Sequence, residues 1–160
     1  MATKTQATFL LNTVIRPALQ CIRLWSPAAE ELILGTALVE SDLIHRKQLV
    51  GGPARGVFQM EPATHDDIWN NFLKYKPDLA RAISSLMTSP DANKLLELER
   101  NDKYASAMAR AHYLRAPKPL PEAGDVNAMA KYWKVYYNTW LGKGDADKYR
   151  NKWNQTMGVK

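Results

Sequence analysis

Glu40 follows an uncharged stretch, Leu32 to Val39 (LILGTALV), and precedes a loop with Gly51, Gly52, Pro53 and Gly56 that leads to Gln59. A carboxyl group at the edge of an apolar helix, facing a glycine-rich loop, is an arrangement suited to proton transfer. Helical spacing puts Glu40 on one stripe with Ile33, Thr36 and Ala37, so partial desolvation is expected. Desolvation disfavours the ionised form and the negative end of the helix dipole acts in the same direction, so both predict a raised pKa. Such a group suits general acid work near neutral pH. A lone glutamate near a helix end is more often solvated or paired than functional. The neighbouring residues shift that balance.

Other chemistries find less support. His45, His65 and His112 share no metal-ligand spacing with each other or with Cys21, and no phosphate loop or Ser-His-Asp set is visible. No metal and no cofactor are implied. Cys21 is the only cysteine, so no internal disulfide can form, and its neighbours Ile22 and Leu24 predict a buried thiol. Trp69, Trp133, Trp140 and Trp153 are able to stack on sugars, although large aromatics usually pack; Trp140 is the one singled out for a ligand.

The chain that must position Glu40 has 160 residues, 46% hydrophobic and 24% charged, which is ordinary globular composition and enough to bury a core. A single domain over residues 1–160 is expected. The balance of 22 basic against 16 acidic residues, net +6, favours an anionic envelope surface or another anionic partner. Because the basic residues are spread along the chain, no specific nucleic-acid partner is expected. The N-terminal FLL run is interrupted by Asn12 and Arg16, unlike a secretory signal, and no stretch reaches membrane-spanning length. Synthesis in a cytoplasm without a signal peptide, and a monomer, are the expectations.

Phe9, Leu10, Val14, Ile15, Leu19 and Ile22 give helical periodicity kinked at Pro17. Ser26-Pro27 starts the helix that delivers Glu40. Thr64, with Asp66 and Asp67, predicts a further helix start, with Ile68, Phe72 and Tyr75 on its buried side. Pro77, Ser89-Pro90, Asn101 and Asp125 predict later starts, the last running from Val126 to about Asn138. A basic amphipathic helix with Tyr149 and Trp153 closes the chain after Gly142 to Gly144, and its Lys148, Arg150 and Lys152 are the expected contributors to envelope retention. Alternating patterns are nearly absent, so the fold class is mainly α, with at most a small irregular β region near residues 44–60.

Four segments then occur in order: Glu40-Ser41, GVFQMEPAT at Gly56 to Thr64, AMARAHYL at Ala107 to Leu114, and YYN at Tyr136 to Asn138. Together they resemble the soluble lytic transglycosylases and goose-type lysozymes, whose pattern runs ES, G-[LV]-[MF]-Q-x-x-P-x-T, A-x-x-Y-L and A-Y-N-A-G. The third and last motifs depart: Arg110 stands at the alanine of A-x-x-Y-L, and Tyr136, Thr139 and Trp140 stand where A-Y-N-A-G has Ala, Ala and Gly. The resemblance implies a lysozyme-like helical domain that cleaves the β-1,4 bond between N-acetylmuramic acid and N-acetylglucosamine in peptidoglycan. Glu40 is then the catalytic acid, while Ser41, Phe58, Gln59, Tyr113, Tyr137 and Asn138 are the candidate substrate-binding residues.

Glycoside cleavage commonly takes two carboxylates. The candidates for a second, Asp42 and Glu61, do not fall where that family places catalytic groups, so a single-acid mechanism is expected. Small size, the apparent lack of a signal and basic charge fit a bacteriophage product acting on peptidoglycan in the periplasm or cell wall, as an endolysin or carried in the virion. The rival is a non-catalytic virion or wall-binding protein with the same fold.

Overall fold

The structure is a computed structural model, and it describes residues 1–44, 46, 51–138 and 145–159. Its helices are tied to the sequence by their caps. Thr3 and Gln6 form a reciprocal capping box at the start of α1 (Lys4–Leu10). The helix passes through a widened π turn, Leu11–Ile15, into α2 (Arg16–Cys21). The Arg16 N–H reaches back to Leu11 O, so the chain absorbs Pro17 without breaking. Cys21 ends α2 and is exposed, which corrects the expectation of a buried thiol: the helix stops there, and its neighbours Ile22 and, in part, Leu24 turn into the core instead.

Helix α3 (Pro27–Ser41) is the axis of the fold. Ser26 Oγ accepts from Ala29 N at 3.0 Å, and Pro27 sits in the first turn. From Leu32 to Leu38 every residue is buried. Gly35 is required there by close approach, since an added Cβ would lie 2.0 Å from Tyr149 Oη. The helix ends on two left-handed residues, Asp42 at φ 55° and Leu43 at φ 61°.

Among the described residues of the 44–60 segment, regular pairing is limited to one antiparallel bridge between Arg55 and Met60. Gly56, at φ +76°, lies so close to the backbone that a Cβ would meet Leu98 O at 2.2 Å. His45, Lys47 and the three residues after it fall outside the described residues. Helix α4 (Pro62–Asn71) starts ahead of the predicted Thr64, because Pro62 takes the first helical position. Ile68 is buried as expected, but Tyr75 is exposed: α4 stops at Asn71 and a short 3₁₀ turn (Leu73–Tyr75) swings it outward.

Helix α5 (Pro77–Ser84) begins where Pro77 predicts, whereas α6 (Lys94–Arg100) begins later than Ser89-Pro90. Asn93 caps α6, its Oδ1 accepting from Leu95 N at 3.0 Å and Leu96 N at 3.1 Å. The Ser89 segment instead closes a turn through Ala92 N and Ser89 O. Asn101 caps α7 (Asp102–Leu114). Asp125 caps α8 (Val126–Trp133), which continues as a second π turn, Lys134–Asn138. Asp145 caps α9 (Ala146–Met157), which packs on both α3 and α8.

A single apolar cluster runs from Ala2 through α3 and α7 to Trp153. The molecule is mainly α-helical, and among the described residues no helix is long and apolar enough to cross a membrane.

Candidate functional site

Glu40 lies in the last turn of α3, where α7, α8 and the second π turn converge. Trp133, the final residue of α8, donates its indole N–H to Glu40 Oε1 at 3.0 Å. The Asn138 side chain also bonds the carboxyl group. Its orientation is fixed, because Lys134 Nζ can only donate and takes Asn138 Oδ1 at 3.0 Å, leaving the amide N–H for Glu40. The π turn makes this possible by bringing Asn138 onto the face that Trp133 already occupies.

Burial raises the Glu40 pKa to about 7, against the opposing pull of the Trp133 and Asn138 hydrogen bonds. The predicted direction and its desolvation cause both hold. Some surface of Glu40 remains accessible, so the group is poorly hydrated yet reachable.

Two tyrosines back this centre. Thr36 Oγ1 donates to Leu32 O at 2.8 Å, so it accepts from Tyr113 Oη at 2.7 Å. The Tyr113 ring lies 5.3 Å from that of Tyr137, and His112 meets Tyr137 edge-on at 5.0 Å. Desolvation raises both phenol pKa values well above the usual range, and the negative charge of Glu40 adds to the rise in each. Burial, with the nearby Arg115 cation, pushes His112 down to about 4, so it is neutral at physiological pH. Arg115 donates to His112 Nδ1 at 2.8 Å, which leaves the ring proton on Nε2.

The GVFQ loop is clamped by residues flanking the centre. Ser41 Oγ donates to Val57 O at 2.6 Å, and Tyr137 Oη donates to Phe58 O at 2.6 Å. Two consecutive carbonyls are thus held, one from the end of α3 and one from the second π turn. Ser41 is 1% exposed and Phe58 0% exposed, so the expectation that they touch a ligand is corrected. Ser41 works through the loop backbone, and Phe58 through packing and its carbonyl. Gln59 is partly exposed at φ +46°, with its Nε2 held by Gly56 O at 2.9 Å. A non-glycine residue held in that region marks a locally constrained site.

Asp42, two residues beyond Glu40, is fully engaged. Its Oδ1 accepts from Ala2 N at 2.9 Å, and its Oδ2 lies 3.1 Å from Lys152 Nζ and 3.6 Å from the N-terminal ammonium. Burial favours its neutral form, but those partners prevail and its pKa is lowered. Glu61 is exposed at the start of α4. The basic residues of α9 are also spoken for in part: Lys152 holds Asp42, and Arg150 pairs with Asp147 and with Asn127.

Trp133, expected to pack or to stack on a sugar, instead gives its indole N–H to Glu40. Its position five residues before Asn138 was visible, but its aim at Glu40 depends on how α8 packs. Trp140 lies outside the described residues. Among the described residues no group of three or more His, Cys, Asp or Glu side chains is placed to hold a metal. Comparison with protein-family models, with curated proteins and with solved structures found no match for this chain.

Proposed function

We propose that this chain is a peptidoglycan-cleaving glycosidase with a lysozyme-like fold in which Glu40 serves alone, first as acid and then as base. The observation that carries this reading is a largely desolvated carboxyl group in the last turn of α3, held by the Trp133 indole N–H at 3.0 Å and by Asn138; burial raises its pKa to about 7 against the pull of both donors. A carboxyl group so poised is protonated often enough to give its proton to the leaving glycosidic oxygen and basic enough afterwards to take one back. The ordered motifs from Glu40 to Asn138 supply the substrate class.

As the bond between the anomeric carbon and the glycosidic oxygen breaks, Glu40 donates its proton to that oxygen. The positive charge developing at the anomeric carbon is met by the substrate's own N-acetyl oxygen, since Asp42 is committed to Lys152 and the N-terminus. The Glu40 carboxylate then removes a proton either from the sugar's 6-hydroxyl, closing a 1,6-anhydro ring, or from water, giving a reducing end. Trp133 and Asn138 hold the carboxyl in register, while Tyr113 and Tyr137 form the wall behind it. A phage lysis role, with action on the bacterial wall, accords with the net charge of +6.

Digestion of purified peptidoglycan followed by mass spectrometry of the soluble products tests this. Disaccharide muropeptides are expected, and the mass of their ends separates ring closure from hydrolysis. Wall that remains insoluble and unfragmented would leave the non-catalytic wall-binding reading in possession.

A further inference from the structure

A hollow of about 490 Å³ opens between α4 and the start of α6, lined by Asp66, Trp69, Asn70, Asn93, Lys94 and Leu95. It is separate from the Glu40 centre. Its deepest support is Tyr104, nine residues before Tyr113 on α7, which at 1.5 Å per residue is about 13 Å along the helix.

The indole plane of Trp69 is fixed by a directed chain of hydrogen bonds. Trp69 Nε1 can only donate, and it gives its proton to Tyr104 Oη at 3.0 Å. Asp66 accepts from His65 Nδ1 at 3.0 Å, which puts the ring proton there and leaves Nε2 to accept from Tyr104 Oη at 2.8 Å. His65 and Tyr104 are 1% and 0% exposed, so the chain is locked inside the core. Desolvation also keeps His65 neutral, with its pKa lowered. The outcome is a partly exposed aromatic plate that cannot tilt.

Around that plate lie polar groups with capacity to spare. Asn93 spends its Oδ1 on capping α6, so its amide N–H groups are left to face a ligand. The Asn70 side chain is exposed, and Asp66 is 60% exposed with only one oxygen committed to His65. The Lys94 ammonium stands over the indole at 5.1 Å from its centroid, a cation–π contact on a flexible surface side chain that a ligand stacking on this face displaces. The polarised C–H face of a sugar ring is drawn to an indole by the same attraction. Asp66 and Lys94 oppose each other in charge, which disfavours a strongly anionic ligand.

We propose that this hollow is a second saccharide site, in which a neutral, N-acetylated or hydroxyl-rich sugar stacks on Trp69 and bonds Asn70, Asn93 and Asp66. Its volume falls within the range of about 300–1,000 Å³ usual for small-ligand sites. The site stands whether or not Glu40 cleaves glycans. Where both engage one strand, the second contact raises retention by effective concentration.

The test uses Glu40→Gln protein labelled with ¹⁵N and titrated with tetra-N-acetylchitotetraose, reading the indole N–H resonances. The Trp69 signal, assigned by its absence in Trp69→Phe, should shift saturably. Asn70→Ala, which alters no internal hydrogen bond, should weaken that shift's midpoint several-fold, and Trp69→Ala should weaken by 10-fold or more the midpoint read from the backbone amides of the lining residues Asn70 and Asn93. The Trp133 signal reports independently on the Glu40 cleft, so the two sites fail or succeed separately. A Trp69 resonance unmoved at saturating saccharide, or one that moves only with inorganic phosphate, overturns the proposal.

Discussion

Trp133 and Glu40 are joined by a 3.0 Å hydrogen bond from indole nitrogen to carboxyl oxygen, across the junction of α8 and α3. The bond lowers a pKa that burial raises, so the value near 7 is a balance between them. Trp133 is 1% exposed and stacks 5.9 Å from Tyr149, which fixes the donor in place.

Trp133→Phe keeps most of the packing and removes the donor, so the Glu40 pKa should rise above 7. The pH profile of kcat/KM for peptidoglycan turnover should then move to higher pH. An unchanged profile with a uniformly lower rate would show that Trp133 only packs.

The raised pKa has a stability consequence with a definite sign. Between the unfolded value of 4.5 and the folded value of about 7, the folded protein binds more protons at Glu40, so stability falls as pH rises through that window. The shift corresponds to a loss of about 3 kcal/mol at most. Glu40→Gln removes this loss and should stabilise the protein by about 1–3 kcal/mol at pH 8, with little effect at pH 4. Urea unfolding at the two pH values reads the difference directly; equal changes at both contradict it.

Gly35→Ala should be costly. The new methyl would sit 2.0 Å from Tyr149 Oη, and Tyr149 is 0% exposed, so it cannot swing away. A loss of about 1–3 kcal/mol is expected from overpacking. Displacing Tyr149 also displaces Trp133, so activity should fall together with the melting temperature.

Ser41→Ala tests the clamp on the GVFQ loop. Without the 2.6 Å bond, Val57 O is left buried and unsatisfied, which costs about 1–3 kcal/mol. Thermal melts should show the loss, and KM should rise more than kcat falls if Gln59 is thereby misplaced.

The delivery of Glu40 could be read from the chain, because Ser26-Pro27 fixes the start of α3 and the uncharged LILGTALV stretch fixes its burial. The direction of the pKa shift followed from the same stretch. The hydrogen bonds that oppose it did not, since Trp133 and Asn138 reach Glu40 only through a π turn whose geometry has no local signature. Helix starts with two competing signals were misplaced, as at Thr64 against Pro62 and Ser89 against Asn93. Ser41 and Phe58 were read for their side-chain chemistry, whereas the fold uses a hydroxyl and a carbonyl to hold a loop. Which atom a residue contributes is decided by packing between distant segments.

The proton held by Glu40 is the centre of the account, and the most direct test is peptidoglycan clearance by Glu40→Gln beside the native protein at pH 6 to 7. The variant should fold, bind wall and lose activity by at least about 100-fold, the usual scale of a general acid. Clearance within a few-fold of native would mean that another group supplies the proton.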